Sequence, residues 1–193
     1  MLSINYEKLY TIYGYFACLA NPAVISIPYN TKKILYVCKG NVCRSPIAEY
    51  ISRKITLSNN LNDLTFSSRG IEVLKNRPAE ENAILVCKKN GIDITEHRSI
   101  PLNEEDINGN DIILTMNYRQ LVMLHSKYSE HIKKIRLLPV FSKKKILRFN
   151  DIMINDPYGC PIAEFEHCYG RIYKSVLGLL EAIRTSRETG VVT

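Results

Sequence analysis

From Lys32 onward, short apolar runs alternate with longer stretches whose apolar residues recur at helical spacing. Ile34 to Cys38 reads as a buried strand. Ile47, Ala48, Ile51 and Ile55 share one face of a helix expected over 46–57. Leu64 to Ser67 is a second strand candidate. Pro78 is expected to open a helix carrying Ala79, Ala83, Val86 and Cys87, with Asn90-Gly91 as its stop. Asp111 to Met116 reads as a third strand, followed by a helix through Leu121 and Leu124. Ile135 to Leu138, ended by Pro139, gives a fourth, and residues 163–187 form a closing helix. This alternation predicts one α/β domain, a four-stranded parallel sheet with helices on both faces, doubly wound and flavodoxin-like. In such sheets ligands bind beyond the carboxyl ends of the strands, where strand order reverses.

Residues 1–31 break the alternation and are set apart from a domain over 32–193. They are apolar and aromatic, with Tyr10, Ile12, Tyr13, Tyr15, Phe16, Leu19, Val24, Ile25 and Ile27. Glu7, Asn21-Pro22 and Pro28 argue against a signal peptide or a membrane span, so no stable membrane insertion is expected. An extension that packs on the domain or stays partly disordered is favoured over a signal anchor.

The 193 residues suffice for one well-buried core. Lys and Arg outnumber Asp and Glu by 26 to 19, which favours anionic partners without choosing among them. No aromatic-plus-basic recognition motif accompanies that charge, so nucleic acid is not expected as a partner. Lys143-Lys144-Lys145 reads as a solvated loop. The six cysteines are too sparse for a disulfide scaffold and include no C-x-x-C pair. Cys160, His167 and Cys168 match no common zinc spacing. Reduced thiols in a cytoplasmic protein, with no metal or cofactor, fit this pattern best.

Candidate chemistry concentrates in ILYVCKGNVCRSPIA, residues 34–48. A strand ends in a thiol, Cys38, and a guanidinium, Arg44, follows six residues later. Gly40 and Asn41 tolerate positive φ and let the chain curl, turning backbone N–H groups inward as an anion nest. A helix beginning at Ser45-Pro46 adds unpaired donors at its N-terminus. The site suits a tetrahedral oxyanion, and the nucleotide-binding G-x-x-x-x-G-K-[ST] pattern is absent. A cysteine in that field is stabilised as the nucleophilic thiolate, Ser45 can donate to its sulfur, and Arg44 can clamp two phosphate oxygens. A cysteinyl-phosphate route also needs a general acid, for which Asp156 in the loop Asp-Pro-Tyr-Gly is the candidate. Asp-Pro is equally a common turn opening.

VCKGNVCRSPIAE (37–49), GIDITEHRS (91–99), DIILTM (111–116) and DPYG (156–159) together resemble the low-molecular-weight protein tyrosine phosphatases, in order and approximate spacing. The resemblance runs from about Lys32 to Arg187. It implies two-step hydrolysis of phosphotyrosine-containing proteins, with Cys38 as nucleophile, Arg44 as phosphate clamp, and Asp156 as acid and then base. Lys39, Gly40, Asn41, Val42, Cys43 and Ser45 would surround the phosphate, with Asn41 and Ser45 holding the loop. Tyr158 would pack on an aromatic substrate and His97 would organise the loop from behind. Cys43 is similar to the family's partner thiol, able to trap Cys38 in a reversible disulfide under peroxide.

Three alternatives share the pattern. Arsenate reductases of this fold need resolving cysteines, and Met116-Asn117-Tyr118-Arg119 offers none where one is usual. Protein arginine phosphatases carry threonine at the position of Val42. A phosphotyrosine-binding module without catalysis would usually lack one of Cys38, Arg44 and Asp156, and all three are here. The chain departs from the family at Asn117, usually aspartate, and at Arg69, usually small. Lys39, more basic than usual, is expected to favour acidic phosphopeptides.

Overall fold

The computed structural model describes residues 27–57, 61–142 and 149–190. Nearly all of the N-terminal extension and the Lys143–Lys145 run therefore lie outside the described residues.

β1 (Lys33–Cys38), α1 (Arg44–Leu57), β2 (Thr65–Gly70), α2 (Glu81–Lys89) and α3 (Glu104–Gly109) come first. β3 (Ile112–Thr115), α4 (Tyr118–Lys127), β4 (Ile135–Leu137) and α5 (Ile162–Thr189) complete the order, with 3-10 turns around β4. The chain divides into two compact units. Residues 31–179 hold the sheet; in the other, residues 1–30 with 180–193, the Ser186 hydroxyl donates to the Ile27 carbonyl at 2.6 Å.

All strands are parallel, in the order β2-β1-β3-β4. β1 lies inside the sheet, so Ile34 to Val37 are wholly buried and its apolar run is continuous rather than alternating. Tyr36 satisfies its buried hydroxyl with Ser52 Oγ of α1 at 2.7 Å, which avoids the desolvation cost of an orphan. The chain steps from β1 outward to β2 and from β3 outward to β4 in opposite directions. Right-handed crossovers therefore place α1 and α4 on opposite faces, the expected double winding. Strand order reverses between β1 and β3, so the segment after Cys38 starts at the switch point.

Four details differ from the sequence reading. β2 extends through Ser68, Arg69 and Gly70, which pair with Tyr36, Val37 and Cys38; its polar residues hid an edge strand. α1 begins two residues early, at Arg44. α2 begins at Glu81 rather than at Pro78, because Pro78 bridges Arg98 and the Glu80 carboxylate caps the helix at Asn82 N. α3 was not expected: six residues are too few to show a period, but Asn103 and Asp106 form a reciprocal capping box. No described helix is long and apolar enough to cross a membrane.

Candidate active site

The segment 38–43 is fixed by its carbonyls. Those of Cys38 and Lys39 accept from Ile71 and Glu72 N–H at 3.0 and 2.9 Å, and that of Val42 accepts from Glu80 N–H at 2.9 Å. The Cys43 carbonyl accepts from Ile47 N–H at 3.2 Å, and the Asn41 carbonyl takes His97 Nε2–H at 2.7 Å. A carbonyl only accepts, so His97 carries its proton on Nε2; burial holds this ring below its ordinary pKa, the bond to Asn41 opposing. With the carbonyls drawn outward, the first-turn amides of α1 at Arg44 and Ser45, which no intrahelical carbonyl can reach, are available to an anion.

Asn41 is the pivot. Its φ is 53°, the left-handed conformation that Asn tolerates. Its side-chain amide donates to Ser45 Oγ and Ser68 Oγ, each at 2.9 Å, and its Oδ1 accepts from Ile100 N–H at 2.8 Å. Gly40, which also tolerates positive φ, does not adopt it. The glycine that the curl requires is Gly70: a Cβ there would lie 2.8 Å from the Lys39 carbonyl and 2.9 Å from Asn41 N.

Cys38 Sγ lies 3.0 Å from Ser45 Oγ and 3.3 Å from Asn41 N–H. Asn41 already donates to Ser45 Oγ, so the hydroxyl hydrogen is free to point at sulfur or at the Arg69 carbonyl, 3.3 Å away. Burial, with Cys38 beside it, pushes the Cys43 thiol well above its ordinary range, keeping it protonated.

Arg44, only 2% exposed, donates through Nη1 to the Ile154 carbonyl at 3.2 Å and pairs through Nη2 with Asp156 Oδ2. Its Nε–H is buried without a partner, as a donor reserved for an anion would be. Ile154 N–H in turn donates to the Met116 carbonyl at 2.8 Å, tying the Asp156 loop to the end of β3. Asp156 Oδ1 accepts from Tyr158 N–H at 3.4 Å, and Gly159 at φ 75° completes the turn. One thiol, one buried guanidinium and one half-exposed carboxylate thus meet where strand order reverses.

They open into a cleft of about 340 Å³, lined also by Lys39, Gly40, Val42, Cys43 and Tyr158. Asn41 and Ser45, expected around the phosphate, are fully buried and hold the loop from beneath, as His97 does from behind. Glu72 and Arg77 line the cleft and carry no local sequence signal; they arrive through the turn after β2. The departures are explained by partners. Asn117 accepts from Gln120 N–H at 3.0 Å and caps α4 as aspartate would. Arg69 makes two bonds to the Asp106 carboxylate, at 3.0 and 2.9 Å.

Residues 33–189 match the family model described as low molecular weight phosphotyrosine protein phosphatase. The low molecular weight phosphotyrosine protein phosphatase of Sus scrofa is 32% identical over 160 residues, 80% of this chain and 97% of that protein. The crystal structure of the low molecular weight protein tyrosine phosphatase from T. tengcongensis superposes with a TM-score of 0.71 at 33% identity, covering 78% of this chain and 99% of that one. The YwlE arginine phosphatase from Geobacillus stearothermophilus superposes with a TM-score of 0.72 at 26% identity, covering 83% and 97%. With its sheet order, its cysteine loop and these matches in agreement, the chain belongs to the low molecular weight phosphotyrosine protein phosphatase family.

Proposed function

We propose that this protein hydrolyses phosphotyrosine in proteins through a phosphorylated Cys38. The reading rests on one observation: Cys38 Sγ, held at 3.0 Å by Ser45 Oγ, shares its cleft with a buried Arg44 and with Asp156. Asn41 N–H donates to the sulfur from 3.3 Å and the Ser45 hydroxyl lies 3.0 Å from it, which holds the nucleophile in place. The phosphate accepts from the α1 amides and from Arg44, which stabilise charge on the transferring group. The thiolate attacks phosphorus, the bond from phosphorus to the phenolic oxygen breaks, and Asp156 gives its proton to that oxygen. Asp156, now a carboxylate, takes a proton from water, which attacks phosphorus and releases inorganic phosphate and the thiolate.

Val42, which lines the cleft, supports phosphotyrosine over phosphoarginine, because arginine phosphatases of this fold carry a hydroxyl there. Cys87 is fully buried and its thiol is pushed up to about 12 by burial, so it is unsuited to resolving an arsenate intermediate. The same protein is proposed to work in the cytoplasm, where the five free cysteines of the described residues stay reduced. Hydrogen peroxide oxidises the Cys38 thiolate to a sulfenic acid with release of hydroxide, and the neutral Cys43 thiol then closes a disulfide with loss of water. The domain is assigned to 32–193, with 1–31 as an extension.

The test is hydrolysis of p-nitrophenyl phosphate and of a phosphotyrosine peptide by wild type, Cys38→Ser and Asp156→Asn. Cys38→Ser should be inactive. Asp156→Asn should lose about 10²–10⁴-fold on the peptide, the usual worth of general acid catalysis, and less on the better leaving group. An active Cys38→Ser, or an inactive wild type, overturns the proposal.

A further inference from the structure

Three cations line the cleft, Lys39, Arg44 and Arg77. Arg44 lies at its base and pairs with Asp156. Lys39, the residue expected to favour acidic substrates, spends its charge on Glu72, with Nζ 3.4 Å from Oε2. Arg77 alone of the three has no carboxylate partner among the described residues. Its guanidinium sits 5.9 Å from the centroid of the Tyr158 ring, with Nη2 3.5 Å from the hydroxyl, so its contacts are aromatic and neutral.

The backbone beneath Arg77 is clamped. Its N–H donates to Ser99 Oγ at 2.9 Å and its carbonyl accepts from Ser99 N–H at 2.8 Å. Ser99 is buried and donates its own hydroxyl to the Leu74 carbonyl at 2.7 Å. Asn76, at φ 65°, sets the turn just before and donates its N–H to the Ser99 carbonyl at 2.9 Å. The guanidinium is thus an exposed charge on a rigid base, over the ring expected to flank a substrate tyrosine. Rigid presentation lowers the ordering cost of binding.

We propose that Arg77 is a specificity residue that binds the carboxylate of an Asp or Glu close to the phosphotyrosine of the substrate protein. This rests on the phosphatase reading for the placement of the phosphotyrosine, and it moves the acidic preference from Lys39 to Arg77. An exposed, planar donor fork meeting a carboxylate gives a modest gain, about two- to fivefold in kcat/KM, weakened by added salt.

The experiment uses phosphotyrosine peptides that differ by one Glu or Gln at each position within two residues of the phosphotyrosine. The Glu-to-Gln ratio of kcat/KM is the readout, so general loss of activity does not move it. Wild type should favour Glu by about two- to fivefold at one position or more. Arg77→Gln should bring that ratio to one, Arg77→Lys should keep part of it, Arg77→Glu should invert it, and Lys39→Gln should leave it in place. Equal rates for Glu and Gln peptides in wild type, or a preference that survives Arg77→Gln, overturn the proposal. Fluorescence anisotropy of the same peptides on Cys38→Ser reads the same ratio as affinity. Absence of hydrolysis therefore counts against the phosphatase reading, and the binding ratio judges Arg77 by itself.

Discussion

Gly70→Ala is expected to damage catalysis from a residue outside the cleft. Gly70 ends β2 directly opposite Cys38 in the sheet register. A Cβ there would meet the Val73 side chain, which can turn away, and two backbone atoms, which cannot. The Lys39 carbonyl oxygen would have to retreat from 2.8 Å to the 3.4 Å of ordinary contact, about 0.6 Å. Nothing nearby can yield alone. Gly70 N–H is bonded to Ile100 and its carbonyl to Leu102, while the Cys38 and Lys39 carbonyls hold Ile71 and Glu72. The strain therefore falls on the loop that carries Cys38. Overpacking of this kind costs about 1–3 kcal/mol of stability. Misplacing reacting groups by a sizeable fraction of an ångström costs about ten- to a hundredfold in rate, since a full ångström costs about a hundredfold. Urea unfolding measures the first and kcat/KM for a phosphotyrosine peptide the second. Gly40→Ala is the control for stability, because a Cβ there meets only Val42, at 3.6 Å, and φ is not positive. Gly70→Ala with a wild-type midpoint and kcat/KM within about twofold of wild type would refute the reasoning.

Two further outcomes follow from contacts behind the loop. Arg69→Ala leaves the nearly buried Asp106 without its two charge-assisted bonds and should cost about 1–3 kcal/mol, read as a lower urea midpoint; an unchanged midpoint would show that the pair is idle. His97 titrates below its ordinary 6.5, chiefly through burial, so the unfolded chain binds the proton more readily. Its contribution is complete above about pH 6.5 and is lost as pH falls from there toward the lowered value, with His125 acting in the same sense. His97→Asn should flatten that part of the stability–pH curve, and an unaltered slope would assign all of it to His125.

The cysteine loop is legible in the sequence because its parts are neighbours along the chain. Cys38, Asn41, Arg44 and Ser45 lie within one strand, one curl and one helix start, and their spacing alone implies an anion site. The α/β alternation was legible for a similar reason: β1 and β3 are continuous apolar runs, and α1 and α5 are long enough to show a period. Gly70, Arg77, Ser99 and the Arg69–Asp106 pair come from elements that only the sheet topology brings together. No local spacing announces them. The extent of β2 was hidden because Ser68 and Arg69 look like loop residues until Asn41 and Asp106 are placed beside them. The acidic preference expected at Lys39 follows from residue type and position, and neither reveals that Glu72 Oε2 lies 3.4 Å from its Nζ.

Trapping the phosphoenzyme tests the central claim most directly. Asp156→Asn turning over an activated aryl phosphate, whose leaving group departs without a proton, should still form the intermediate but hydrolyse it slowly. After rapid denaturing quench, peptide mass spectrometry should find one phosphoryl group, on Cys38. Phosphoryl on any other residue, or none on Cys38 while substrate is being consumed, would contradict the account.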